Sequence, residues 1–290
     1  MDESSASGTG ARRRLMGEFP APTILSPAAM PHTSTIIFLH GRGWDARKFS
    51  DSILSMVLPR GGTLRDALPR TRFVFPTAPL MRATKYRRTT MHQWYEGTGD
   101  WEPEARGNMR PSVEFIQDLL DREMQLVCGD STKLCLAGFS QGCAMAIMNL
   151  LLWNGAPLGA VVGLCGFIPI NSYLLDILDD AEESDLDDFF ETTSHESKPP
   201  VQRAIDELRE EVELPQTEVP SRLSFRSTPV FLGHGVDDDE VELRHSENAA
   251  LLLKKMGTHV THSSYPGLGH GYSPKMLEDM VLFLTSNITV

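Results

Sequence analysis

The sequence predicts an α/β fold with a mostly parallel central sheet and helices on both of its faces. Three observations predict it. Short β-branched runs alternate with helical patterns, the first five runs are apolar almost throughout, and one of them passes into a helix through a glycine-flanked serine. Strands buried on both faces lose the usual in–out alternation, and strand–helix alternation builds parallel sheets with right-handed crossovers.

Taken in order, residues 1–30 are rich in Ser, Gly, Pro and Ala without a period, and predict a disordered tail ahead of a single domain over 31–290. Strands are expected at Thr35–Leu39, Arg72–Phe75, Lys133–Ala137, Ala160–Leu164, Pro229–Leu232 and Thr258–Tyr265. Val113–Leu126 sets Val113, Ile116, Leu119, Leu120 and Met124 on one helical face, and Gln141–Leu152 is rich in Ala, Met and Leu. Helices are also expected at Glu247–Met256 and Lys275–Leu284, the latter opened by Ser273 as N-cap and Pro274 at the first helical position. An acidic insertion, 171–222, interrupts the rhythm. Its run Asp176–Glu191 has too little apolar surface to order itself alone. After Pro199-Pro200, residues Val201, Ala204, Ile205, Leu208 and Val212 are spaced for one helical face. The insertion is either a solvated loop with a surface helix resting on the body, or a movable lid or partner-docking helix.

The chain has 290 residues and a formal net charge of −12, which argues against nucleic acid as a partner. Residues 171–222 hold 16 Asp and Glu against 4 Lys and Arg, so the rest carries 23 of each sign and is formally neutral. No apolar run reaches the roughly 18–20 residues of a membrane span. Cys128, Cys135, Cys143 and Cys165 form no C-x-x-C pair, and three lie in apolar stretches, which predicts buried thiols and no metal site. Arg12-Arg13-Arg14 precedes no apolar leader segment, Asp2 excludes myristoylation, and the expected location is cytoplasmic. Arg82, Lys85, Arg87 and Arg88 form a basic cluster that reads as a solvated loop or as a surface for transient contact with anionic membrane headgroups.

The chemistry starts at Gly138-Phe139-Ser140-Gln141-Gly142, a G-x-S-x-G between the third strand and an apolar helix. A serine on so sharp a turn needs glycines two residues either way, and the adjoining helix N-terminus favours developing negative charge. A hydroxyl needs a neutral imidazole to take its proton. Among nine histidines, His270 in Pro266-Gly267-Leu268-Gly269-His270-Gly271 lies on a flexible loop after the last strand. The third member comes from Asp237-Asp238-Asp239 after the fifth strand, and spacing alone leaves the choice among them open. The chain order Ser, Asp, His is that of α/β-hydrolases. Two backbone N–H groups are expected to form the oxyanion site: Gln141, following the nucleophile, and Arg42 in Leu39-His40-Gly41-Arg42-Gly43.

These motifs, with His234-Gly235-x-x-Asp238 and Gly269-His270, resemble the acyl-protein thioesterase/lysophospholipase group of the phospholipase/carboxylesterase α/β-hydrolases. The resemblance runs from about Thr33 to Leu284, leaving out 171–222. It implies Asp238 as the triad carboxylate, because the family's H-G-x-x-D pattern puts the aspartate third after H-G. Pro76-Thr77-Ala78-Pro79 and Gln93-Trp94-Tyr95 resemble the stretch bordering the family's acyl site, which implies Trp94 and Leu80 as substrate-binding residues; plain packing is the other reading of Trp94. It further implies hydrolysis of acyl esters or thioesters, on proteins or small molecules, without metal or organic cofactor. Cys143 stands where many relatives carry a further glycine, and the insertion is foreign to the compact pattern. The alternatives are a small-molecule carboxylesterase, a biosynthetic thioesterase, or a non-catalytic receptor or scaffold on the same fold.

Overall fold

In the computed structural model, which describes residues 16–96, 109–187, 198–215 and 223–288, the apolar runs become the middle of a seven-stranded sheet. Its strands are β1 (Thr23–Leu25), β2 (Ser34–Leu39), β3 (Thr71–Phe75), β6 (Leu134–Phe139), β7 (Ala160–Leu164), β8 (Val230–Gly235) and β9 (Val260–Tyr265). They lie in the order β1-β3-β2-β6-β7-β8-β9, with β1 antiparallel to β3 and every other pair parallel. A separate antiparallel hairpin joins β4 (Leu80–Ala83) to β5 (Thr89–His92).

Both faces of the sheet are covered, which explains the unbroken apolar character of its central strands. On one side Ile37, Leu39, Leu134, Leu136 and Leu232 pack with α3 (Arg110–Leu126), α4 (Gln141–Leu152), α5 (Asn171–Asp187), α6 (Pro200–Glu211) and α7 (Leu243–Lys255). On the other, the alternate residues Ile36, Phe38, Cys135, Ala137 and Phe231 pack with α1 (Ala46–Leu54), α2 (Leu64–Ala67) and α8 (Pro274–Asn287). Each Leu, Ile or Phe among them contributes about 1.5–3 kcal/mol on removal from water. At the sheet's edge β9 buries only Tyr265, so its sequence Val-Thr-His-Ser-Ser-Tyr is mostly polar. Ser273 caps α8 by accepting from the Met276 N–H, with Pro274 in its first turn.

Four expectations change. Thr23–Leu25 form a strand within the stretch expected to be disordered, paired through Ile24 with Val74; residues 1–15 lie outside the described residues. The acidic run expected not to order itself begins within α5, where Leu174 and Leu178 supply the missing apolar anchor, buried in the core. The other stretches of the insertion, 188–197 and 216–222, lie outside the described residues. Helix α1 and the β4–β5 hairpin were not anticipated; α1 is short, and the hairpin's strands are four residues each, too short to show a period. Finally, the third strand continues through Gly138 to Phe139.

Register gathers the strand ends along one rim. Leu39 is paired with Gly138, Phe139 with Leu164, Leu164 with Gly233, and Gly235 with Tyr265. The loops that follow carry His40–Gly43, Ser140, Cys165, Asp238 and His270, so residues more than a hundred positions apart converge.

Candidate active site

Ser140 occupies the turn from β6 into α4 with φ 55° and ψ −121°, a conformation that side chains rarely adopt and that costs about 1–3 kcal/mol. The glycines around it allow close approach. A Cβ on Gly138 would stand 2.0 Å from the Gly142 carbonyl oxygen, and one on Gly142 would stand 2.3 Å from that of Leu39. The turn is held from outside by the Ser140 N–H donating to Leu164 O at 2.9 Å. Cys143 is accommodated by glycines opposite: a Cβ on Gly163 or Gly166 would meet its Sγ at 2.4 or 2.3 Å.

His270 Nε2 lies 3.0 Å from Ser140 Oγ, and its Nδ1 lies 2.8 Å from Asp238 Oδ2. Of the three consecutive aspartates, Asp238 is the buried one and the one that reaches the imidazole. Its Oδ1 accepts from the backbone N–H groups of Glu240 and Val241 at 3.0 and 2.9 Å. Burial alone would raise its pKa, but hydrogen bonds from His234, His270 and Val241 outweigh it and hold the carboxyl well below the usual carboxylate range. Asp237 does a different job, accepting from Gly267 N–H at 2.7 Å and thereby bracing the His270 loop. That loop lies against Gly235, where a Cβ would stand 2.2 Å from Leu268 O.

The His40–Gly43 loop is fixed by a buried network. Ala78 N–H donates to His40 Nε2 at 3.0 Å, and His40 Nδ1 donates to Gly41 O at 2.7 Å. Burial lowers the pKa of His40 to about 4, so its ring stays neutral in this arrangement. Gly41 runs beside the nucleophile: a Cβ there would sit 3.3 Å from Ser140 Cβ. Gln141 opens α4, so its N–H has no partner within the helix, as holds for every first turn. Its side chain accepts from Trp94 N–H at 3.0 Å and donates to Tyr95 O at 2.9 Å.

Arg42, Ser140, Gln141 and His270 share one cleft of about 460 Å³, walled also by Trp44 and Tyr272. The hairpin brings Lys85 and Tyr86 to its mouth, and the Arg42 guanidinium carbon lies 5.9 Å from the Tyr86 ring centroid. Neither Trp94 nor Leu80 is among the described residues that line it. Trp94 is buried, and its indole N–H donates to His40 O at 2.8 Å, which holds the His40–Gly43 loop. Sequence reasoning missed the cleft wall from α1 and the segment just after it, because Ser52 and Met56 carry no motif.

Behind the carboxylate, Cys165, His234 and Asp238 place a thiol, an imidazole and a carboxylate within 4.8 Å of one another. These groups hydrogen-bond rather than present ligand lone pairs. Burial pushes the Cys165 thiol up to about 11, its S–H donates to Gly271 O, and His234 Nε2 faces the Val241 carbonyl at 2.7 Å, so that nitrogen carries a proton.

A parallel sheet with a strained serine at its rim, an imidazole in reach and a carboxylate behind it defines an α/β-hydrolase of the serine-esterase class. The chain belongs to the phospholipase/carboxylesterase family, whose model matches residues 21–179 and 212–288. The two matched stretches flank 180–211, a narrower gap than the insertion expected from the sequence. Among curated proteins it is similar to acyl-protein thioesterase 1 of Neurospora crassa, 27% identical over 274 residues that span 92% of each chain. Among solved structures, Zea mays acyl-protein thioesterase 2 has a TM-score of 0.63 at 20% identity, over 92% of this chain and 99% of that one. Arabidopsis thaliana SOBER1 has a TM-score of 0.61 at 20% identity, over 88% and 98%. Among the described residues, no helix is long and apolar enough to cross a membrane.

Proposed function

We propose that this protein hydrolyses carboxylic ester or thioester bonds of acyl substrates through an acyl-enzyme on Ser140. His270 takes the Ser140 proton as Oγ attacks the acyl carbonyl, and Asp238 orients the imidazole and stabilises its cation. The backbone N–H groups of Arg42 and Gln141 receive the oxyanion; donors of this kind are typically worth about 10²–10³ each in rate. His270 then gives that proton to the departing alcohol or thiolate, and water, deprotonated in turn by the neutral imidazole, repeats the sequence to release the acid.

One observation carries this reading: the continuous line of contacts Ser140 Oγ–His270 Nε2 at 3.0 Å and His270 Nδ1–Asp238 Oδ2 at 2.8 Å. The similarity to acyl-protein thioesterases supports acylated proteins as the substrate class, with small acyl esters and thioesters as simpler substrates. The four free cysteines fit a reducing compartment.

A fluorophosphonate probe tests the nucleophile. Stoichiometric labelling is expected for the parent chain and none for Ser140→Ala, with thioester hydrolysis falling by about 10³-fold or more. A folded parent protein that takes no label would overturn the assignment. Comparing long-chain protein thioesters with short aryl esters then ranks the substrates.

A further inference from the structure

We propose that His234 is a positioning residue for the reaction, fixing the plane of the Asp238 carboxylate: its Nε2–H holds the Val241 carbonyl, the Val241 N–H holds Oδ1, and Nε2 itself lies 3.2 Å from Oδ2. The proposal rests on the Ser140–His270–Asp238 reading above. Asp238 sits on a turn after β8, and its Oδ1 is held by two backbone N–H groups. Those bonds fix one oxygen and leave the other to be aimed. His270 is a poor anchor for that aim, because its ring changes charge and its Nε2 changes partner during each turnover. His234 is a better one. It stands at the end of β8, fully buried, with Nε2 3.2 Å from Asp238 Oδ2 and 2.7 Å from Val241 O.

The three residues close a ring. His234 donates to Val241 O, the Val241 N–H donates to Asp238 Oδ1, and Asp238 Oδ2 returns to His234. Nδ1 of His234 is buried without a hydrogen-bond partner among the described residues, so Nε2 is the nitrogen that works. Burying an imidazole for packing alone is costly compared with an aliphatic side chain of similar size. Its placement makes sense where its proton is needed. Val241 also lines the cleft, so the same ring sets one wall of the substrate site.

The test compares His234→Leu, which keeps bulk but loses the donor, with His234→Gln and His234→Asn. Glutamine reaches about as far as Nε2 and asparagine does not. For folded protein with a saturating thioester substrate, His234→Leu is expected to lose about 10- to 100-fold in kcat. Its KM should stay within about twofold, the pattern of an interaction that matters in the transition state. His234→Gln should recover most of kcat and His234→Asn should not, which carries the test where the Leu variant does not fold. A residue that served packing alone would lower stability in all three and separate none of them by kcat. Equal kcat for Gln and Asn, or a folded Leu variant with the parent's kcat, overturns the proposal. Fluorophosphonate labelling of the parent distinguishes the two levels: an unlabelled parent overturns the nucleophile assignment and this proposal with it, whereas a labelled parent with an unaffected Leu variant overturns this proposal alone.

Discussion

His40 shows how a single side chain can serve the site without touching substrate. It accepts from Ala78, donates to Gly41, and is covered by Trp94, whose indole binds its carbonyl. This neutral tautomer is the one the loop requires, and burial depresses its pKa to about 4. The sign of the consequence follows. Above about pH 6.5 the ring is neutral in both the native and the unfolded chain. Between there and about 4 the unfolded chain binds a proton that the native state refuses, so stability falls with falling pH, by roughly 3 kcal/mol at the lower end. Urea midpoints across this range should therefore fall less steeply for His40→Gln than for the parent protein. Parallel curves would show that His40 titrates alike in both states.

At the scale of elements, the site depends on backbone approaching backbone. Gly235 ends β8 where the His270 loop presses on it, with Leu268 O placed 2.2 Å from a would-be Cβ. Backbone atoms cannot swing aside as a flexible side chain does, so Gly235→Ala must displace the loop carrying the base. A loss of about 10²-fold in kcat is expected, since displacements near 1 Å at a reacting group cost that much. Ser273→Ala, a few residues beyond His270, provides the contrast. It removes the N-cap of α8 and should cost about 1 kcal/mol in a denaturant titration while leaving kcat in place. If both variants lost kcat alike, the whole 266–274 segment would act as one unit and the close approach at Gly235 would not be special.

For the whole molecule, the question is what α6 is for. Ala204, Ile205 and Leu208 are buried against the α3–α5 side of the core, and no residue of α6 is among the described residues lining the cleft. That placement favours a helix built into the body over a lid. Leu208→Ala should accordingly destabilise the fold by about 2–5 kcal/mol, read by denaturant midpoint. At a temperature where the variant is folded, kcat/KM should match the parent. A selective change in chain-length preference with unaltered stability would restore the lid reading.

Much of this was legible in the linear chain. Ala160–Leu164 and Gln141–Leu152 take the boundaries that their apolar patterning predicts, because a strand buried on both faces and a helix buried all round take polar residues only where they are hydrogen-bonded, as Gln141 and Asn149 are. Ser140 stood out through glycines spaced for a tight turn, and His270 through a flexible glycine-bearing loop after the last strand. Other features were silent. The edge strand Thr23–Leu25 is three residues long and owes its existence to β3, and α5 owes its order to a core that Leu174 and Leu178 reach only after the chain has folded.

The sequence by itself determined the layers, the crossing points from strand to helix, and the type of nucleophile, since these depend on local period and turn sterics. Tertiary structure decided which of three adjacent aspartates turns inward, that Trp94 braces the His40–Gly43 loop, and that His234 stands behind the carboxylate. Those choices depend on strand register and on which side chains the rim brings within hydrogen-bond distance, and no local pattern encodes a distance between residues a hundred positions apart.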